Sequence, residues 1–224
     1  MGAQVPGARS GSAVERPLFV DINGGIASKP GALTTATTFT IFGEDGAAAT
    51  RVEPGTSAMV DLRIGYHVRR HVAVAAAVSA GQSDATGATT ATIPSPIRFA
   101  SPTIVSFDAA GSKRREVGVH LQAVYSIPVA EHVMLSVAGG PSLVHLQQGV
   151  PNLNVTTATP TVAAANESGN GFGGNVGADL STQFSTRYGI GVFVRYVGAS
   201  VDLPSASGVK AGGVQAGAGL RLYF

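Results

Sequence analysis

The segment from Val214 to Phe224 alternates between apolar side chains and polar or small ones at every position. Successive side chains of a β-strand point to opposite faces, so this alternation predicts a strand with one apolar and one polar face. In water an open strand ending in Leu-Tyr-Phe favours aggregation, whereas in a membrane barrel the same apolar face contacts lipid. The apolar face carries Val214, Ala216, Ala218, Leu220, Leu222 and Phe224, and the opposite face carries Gln215, Gly217, Gly219, Arg221 and Tyr223.

The composition supports a chain whose apolar side chains face lipid. Only 12% of the 224 residues are charged, about half the usual share for soluble domains. Mean hydropathy is +0.24, yet no stretch approaches eighteen consecutive apolar residues, which argues against a membrane-spanning helix. The chain has no cysteine, so disulfides and thiolate metal sites are excluded, and a formal net charge of +2 gives no basis for nucleic-acid binding.

Period-two patterning recurs in eight segments and predicts an all-β, antiparallel up-and-down barrel. The connections alternate between long and short, as in membrane barrels, which have short periplasmic turns and long outer loops. This arrangement puts Tyr66, Tyr125, Phe184, Tyr188 and Phe224 at one end as an aromatic girdle, with Phe172 and Tyr196 near the other rim. The segments are 17–27, 57–68, 71–81, 113–127, 132–146, 170–184, 188–201 and a last one that follows 202–208 and ends at 224.

The remaining segments are predicted to be irregular. Residues 1–16 form a flexible tail without the apolar core of a secretory signal, and 17–224 form the barrel domain. Residues 28–56, 82–112 and 147–169 are predicted as long loops. Within the first, Thr38 to Ile41 are compatible with an extension of the first strand, and Gly43 to Gly46 read as a turn.

The polar faces of the segments, taken together, predict a charged interior. An eight-stranded barrel is only wide enough to be filled by side chains, and charges buried there must be paired. The predicted lumen network consists of Asp61, Arg63, Glu116, His120, Asp179, Arg195 and Arg221. Its acids and arginines nearly balance, which favours a plugged lumen, and a narrow polar pore is the alternative.

Three further groups bear on chemistry. His67 and His120 lack the spacing of a metal site and are interpreted as interior histidines paired with acids. Ser142 and His145 are three residues apart, so they point to opposite faces of a strand and do not form a nucleophile–base pair. Lys113, Arg114 and Arg115 lie near the outer rim, where they could bind lipopolysaccharide phosphates or simply be solvated. We therefore predict no catalytic residue, cofactor or metal.

The closing segment Gly217–Phe224, with the weaker strands before it, resembles the small outer-membrane β-barrel superfamily of the eight-stranded OmpA/OmpX-like type. The resemblance covers 17–224 and implies a bacterial outer-membrane protein with loops outside and both termini in the periplasm. It also implies recognition by the barrel assembly machinery, with Gly219, Leu220, Leu222 and Phe224 as the signal, and contact with outer-membrane lipid and lipopolysaccharide as a monomer.

The same superfamily hosts several activities, so the fold alone does not choose among them. A structural or surface-interaction role is the leading hypothesis. The alternatives are a narrow channel for ions or small molecules, an outer-membrane lipid-modifying enzyme, and a soluble lipocalin-like binder. In the soluble case Val60, Leu62 and Leu222 would line a ligand cavity and the charged set would face water.

Overall fold

The computed structural model describes residues 17–28, 31–154 and 161–224, so the predicted tail at 1–16 lies outside the described residues. In this part of the chain, no helix is long and apolar enough to cross a membrane. All regular structure described is β-sheet, in ten strands. They are β1 (Leu18–Ala27), β2 (Leu33–Ile41), β3 (Glu44–Pro54), β4 (Ser57–Arg69), β5 (Val72–Ile93), β6 (Thr103–Ala130), β7 (Val133–Asn154), β8 (Thr161–Gln183), β9 (Tyr188–Leu203) and β10 (Ala206–Tyr223).

Eight of these strands close into a ring. β1 pairs with β10 on one side and with β4 on the other, and the pairs from β4 through β5, β6, β7, β8 and β9 to β10 complete the circle. Every pair is antiparallel, and the paired strands are consecutive in sequence except in β1–β4, which the hairpin β2–β3 separates, and β1–β10, which closes the ring. The predicted eight-stranded antiparallel barrel is therefore confirmed, and each predicted segment coincides with part of one ring strand to within a residue at the short-turn end.

The outer side of the barrel carries an apolar belt. On β6, for example, the outward side chains from Val117 to Ile127 are all apolar, close to the span of about 9–11 residues that a tilted strand needs to cross a bilayer. The predicted aromatic girdle occupies the end with the short turns, where its five side chains are 50–67% exposed. Small residues allow close packing behind this belt, as at Gly65, where the ring of Phe19 lies against the backbone.

The three predicted long loops are wrong in part, because most of their residues are strand. Leu33–Ile41 and Glu44–Pro54 form a hairpin, β2–β3, and β3 pairs with β5 from Ala85 to Thr92. β5, β6, β7 and β8 continue well past the apolar belt, so the barrel carries a tall sheet extension at one end. Sequence patterning missed these strands because both faces of much of the extension are rich in Thr and Ala. Backbone pairing needs no apolar face.

The turn of the new hairpin also differs from the prediction. It lies at Phe42 and Gly43, both with positive φ, rather than at Gly43–Gly46, and Glu44 already begins β3. Gly43 supplies the left-handed conformation at little cost, whereas Phe42 adopts it against its usual preference.

Candidate functional site: the barrel interior and its rim

The interior at the short-turn end holds a compact cluster of charges. The Arg63 guanidinium donates to Asp21 at 2.6 Å, and Arg221 donates to Asn23 at 2.6 Å and forms a short ion pair with Asp179. Two longer contacts, Arg63 to Asp179 at 3.7 Å and Arg221 to Asp21 at 3.6 Å, cross-link the pairs. Asp21 and Arg221 are each only 1% exposed. Because β1, β4 and β10 are adjacent in the ring, residues far apart in sequence meet here.

A second pair continues the network toward the centre of the barrel. Arg195 donates to Asp61 at 2.8 Å and to the side-chain oxygen of Gln215, and Asn23 donates to Asp61 at 3.0 Å. Asn23 therefore joins the two clusters, because Arg221 donates to its carbonyl oxygen. The predicted network did not include Asp21 and Asn23, although both alternate with the apolar Val20 and Ile22 in the first segment and therefore share its polar face.

His120 lies among hydroxyl and amide groups rather than acids. One ring nitrogen is 2.9 Å from the hydroxyl of Ser79 and the other is 2.8 Å from that of Ser142. Ser142 also accepts a hydrogen bond from Asn175, whose carbonyl oxygen accepts one from Gln122. The expectation that His120 pairs with an acid is therefore wrong in its partner.

The other histidines stay apart from this network. His67 packs against the ring of Phe19, with ring centroids 5.2 Å apart, and its Nδ1 has no hydrogen-bond partner, so its predicted pairing with an acid is also wrong. His145 lies on the outer face and contacts Asn170 at 2.8 Å. Among the described residues, no cluster of three or more His, Cys, Asp or Glu side chains could hold a metal ion.

Arg114 is the clearest departure from the predicted site. The sequence grouped it with Lys113 and Arg115 as a lipopolysaccharide contact, but its side chain is 2% exposed and lies inside the barrel. There it pairs with Glu116, donates to Gln148 at 2.9 Å and donates to the carbonyl oxygen of Lys210 at 2.8 Å. Three consecutive strand residues cannot share a face, so the cluster had to divide. Lys113 and Arg115 face outward, and Arg115 donates to Gln82 at 3.1 Å.

Above Arg114 the interior becomes apolar. A buried cluster fills the end of the barrel that carries the sheet extension and packs two residues of the hairpin, Leu33 and Val52, against inward side chains of β5, β7, β9 and β10. Its other members are Ala85, Val144, Leu146, Val150, Val197, Val201, Leu203, Val209 and Ala211. The predicted lumen was polar throughout. The sequence did indicate this change, because the inward positions of β9 beyond Tyr196 hold Val197 and Val201 instead of polar side chains.

The interior is charge-balanced and nearly filled. Four carboxylates face four guanidinium groups, namely Asp21, Asp61, Glu116 and Asp179 with Arg63, Arg114, Arg195 and Arg221. A cavity of about 120 Å³ lies at the short-turn end beside Arg63 and Asp179. Farther in, cavities of about 20 and 30 Å³ are each of the size of one or two water molecules. All seven residues of the predicted lumen network lie within this arrangement.

The distribution of side chains defines the class of protein. A soluble barrel buries apolar side chains and exposes charges, whereas here Val60 and Leu62 are 64% and 43% exposed and the charges are inside. A closed eight-stranded barrel with an apolar belt and a charged interior is the architecture of a small outer-membrane β-barrel. The lipocalin-like alternative is therefore wrong.

Comparisons with known proteins give relatives in structure only. No family model matches the sequence, and no curated protein matches it. The chain is similar to the crystal structure of Neisserial surface protein A, at 12% identity over 92% of this chain and 97% of that one, with a TM-score of 0.43. It is also similar to the outer membrane protein OprG from Pseudomonas aeruginosa, at 12% identity over 94% and 97%, with a TM-score of 0.48.

A third similar structure is Ail, the attachment invasion locus protein of Yersinia pestis, at 14% identity over 91% of this chain and 98% of that one, with a TM-score of 0.39. These superpositions are loose, and the assignment of the fold rests on the strand pairing and side-chain placement described above.

Proposed function

We propose that the protein resides in the bacterial outer membrane as a closed barrel with a structural or surface-interaction role and no enzymatic activity. The observation that carries the proposal is the filled interior. Paired charges occupy the end near the short turns, and the apolar cluster occupies the end near the sheet extension. A barrel filled in this way is a rigid anchor in the bilayer, and it holds the sheet extension above the membrane surface. By this proposal the extension faces the outside, and the short turns and both termini face the periplasm.

The closed lumen is tested by planar-bilayer conductance of the purified protein. We expect no reproducible current steps, because the ion pairs and the apolar cluster block the path. Insertion is checked separately by gel migration before and after boiling, where a folded barrel runs faster unheated. Reproducible steps that change with Arg63→Ala would instead support the narrow channel, which the 120 Å³ cavity at the short-turn end keeps as second candidate.

The proposed partners of the barrel are outer-membrane lipid and the barrel assembly machinery. Lipid contacts the belt, and the barrel assembly machinery recognises the closing strand through Gly219, Leu220, Leu222 and Phe224. Leu220 and Phe224 are 52% and 58% exposed on the outward face of β10, where a partner can contact them. Gly219 lies against the backbone of Ile22. The barrel is proposed to act as a monomer.

Lipopolysaccharide binding is proposed for Lys113 and Arg115, without Arg114. Replacing both with glutamine is expected to weaken lipopolysaccharide binding by about tenfold or more, since each cation near an anionic surface contributes about 1 kcal/mol. Binding is measured on the detergent-solubilised barrel at low and high salt. Arg51→Gln serves as the matched control, because Arg51 is exposed but already paired with Glu53. Equal loss in the control variant would argue for a nonspecific charge effect.

A further inference from the structure

The wall of the barrel is incomplete above the lipid-facing belt. β1 pairs with β10 as far as Ala27 and Gln215, and beyond them the Ser28 N–H donates to the Val214 carbonyl oxygen at 2.7 Å. Farther along, β10 pairs with β9 alone and β2 pairs with β3 alone, so among the described residues no backbone pairing joins β2 to β10. The edge of β10 over residues 206–213, which faces this gap, is here called the lateral seam.

Two side chains from the opposite wall take the place of the missing strand. Arg114 donates to the carbonyl oxygen of Lys210 at 2.8 Å, and Glu116 accepts a hydrogen bond from the Gly212 N–H at 3.0 Å. Both belong to β6, which lies across the ring from β10, so they cross the interior to reach the lateral seam. Lys210 and Gly212 are two and four residues from Val214, so their backbone groups are the ones that a neighbouring strand would bond.

The backbone of β10 changes where it loses β1 as its neighbour. Gly212 and Gly213 have φ angles of 93° and 118°, a conformation that glycine adopts at little cost. A ladder continued in the register of β1 would also need an N–H opposite Gly212 from position 30, which is a proline and has none. The end of β10 is therefore paired on one side only, beyond a glycine pair about which it can turn.

A small cavity lies directly behind the lateral seam. Its volume is about 30 Å³, and its lining includes Ser28, Gly212, Arg114, Glu116 and His120. Along the barrel axis it is bounded by the apolar cluster on one side and by the polar network on the other. A sideways exit requires only that the two β6 side chains release β10, whereas an axial exit requires one of these packed groups to part.

From this arrangement we propose that the lateral seam is a gate in the barrel wall and that Arg114 and Glu116 are its latch. In the closed state their side chains hold the end of β10. In the open state this end and its partner β9 turn outward, and the cavity is open at the upper rim of the belt. A few side-chain bonds yield to local opening more readily than a paired strand does. The inference goes beyond the proposed function, which needs only the closed state.

The test measures the rate at which a buried cysteine reacts with a charged, water-soluble methanethiosulfonate in the full chain in nanodiscs. The chain has no cysteine, so Ala211→Cys and Ala85→Cys each introduce a single one. Both alanines belong to the apolar cluster and are 4% and 3% exposed. Ala211 lies on the lateral seam, whereas Ala85 lies between the paired strands β3 and β6. We expect the Ala211→Cys variant to react at least about tenfold faster, and equal rates would overturn the inference.

Latch variants in the Ala211→Cys background test the two side chains. Glu116→Ala should raise the labelling rate about tenfold through loss of hydrogen bonds to a charged group. Glu116→Gln keeps an acceptor for the Gly212 N–H and should raise the rate less. The matched control is Asp179→Asn, which removes a buried carboxylate near the short turns and should change the rate less than about twofold. An unchanged rate in Glu116→Ala, or an equal rise in the control, would contradict the latch.

Folding is checked separately for every variant by the fast-migrating band of the unheated protein. The comparison of the two cysteine positions decides the question even where a latch variant does not fold. A folded, non-conducting barrel with equal labelling at both positions refutes only the gate, whereas loss of the band in the unmodified chain refutes the closed barrel itself.

Discussion

Replacing Arg221 with methionine is expected to lower the free energy of unfolding by about 3–5 kcal/mol, the usual cost of removing one partner of a buried ion pair. The Arg221 side chain is 2% exposed and contacts Asp179, Asn23 and Asp21. Without it, two buried carboxylates share Arg63 as their cation, and the lumen carries an uncompensated negative charge. Urea unfolding in lipid, followed by the loss of the fast-migrating unheated gel band, measures the change.

Two further variants make this prediction specific. Arg51→Ala removes an exposed ion pair with Glu53 and should change the free energy of unfolding by less than about 0.5 kcal/mol. Adding Asp179→Asn to the Arg221→Met variant restores charge balance and should recover part of the loss, which a double-mutant cycle reports. If Arg221→Met were as mild as Arg51→Ala, the charged network would not hold the barrel together.

The sequence predicted the membrane-embedded part of the fold because lipid imposes a pattern there. Outward positions such as Leu62 and Leu220 must be apolar, and inward positions such as Arg63 and Arg221 fill a narrow polar lumen, so alternation is visible in the residues themselves. Antiparallel order followed from the lengths of the connections. The seven residues of the predicted network follow from the polar face of each strand alone, whereas the partners within the network depend on which strands are neighbours in the ring.

The extension could not be predicted in this way. Thr34 and Ala36 face outward on β2 in the same environment as Ala47 and Ala49 on β3, and no lipid selects an apolar side chain there. The strands are held by backbone pairing, which leaves little trace in composition. The position of Arg114 was nevertheless within reach, since strict alternation from Val117 along β6 puts it on the inner face. Grouping it with its neighbours as a basic cluster ignored that alternation.

The second large effect is expected for a charge on the lipid-facing belt. Leu62 lies midway along the outward face of β4, between Val60 and Ile64, and pairs with Ile22 and Val78 on the flanking strands. Leu62→Arg should lower the free energy of unfolding in lipid by about 2–4 kcal/mol, the cost of arginine near the bilayer midplane. Folding into vesicles at a series of urea concentrations measures this loss.

The matched control carries the same new charge outside the belt. Thr90→Arg, an outward position on the extension of β5, should change the free energy of unfolding by no more than about 1 kcal/mol, because its guanidinium stays in water. A barrel in water would tolerate both substitutions alike, since an exposed arginine has no desolvation cost there. The difference between the two variants is therefore a measure of lipid contact at Leu62, independent of any assay of function. Equal tolerance would contradict the membrane-embedded barrel even if the strand pairing were unchanged.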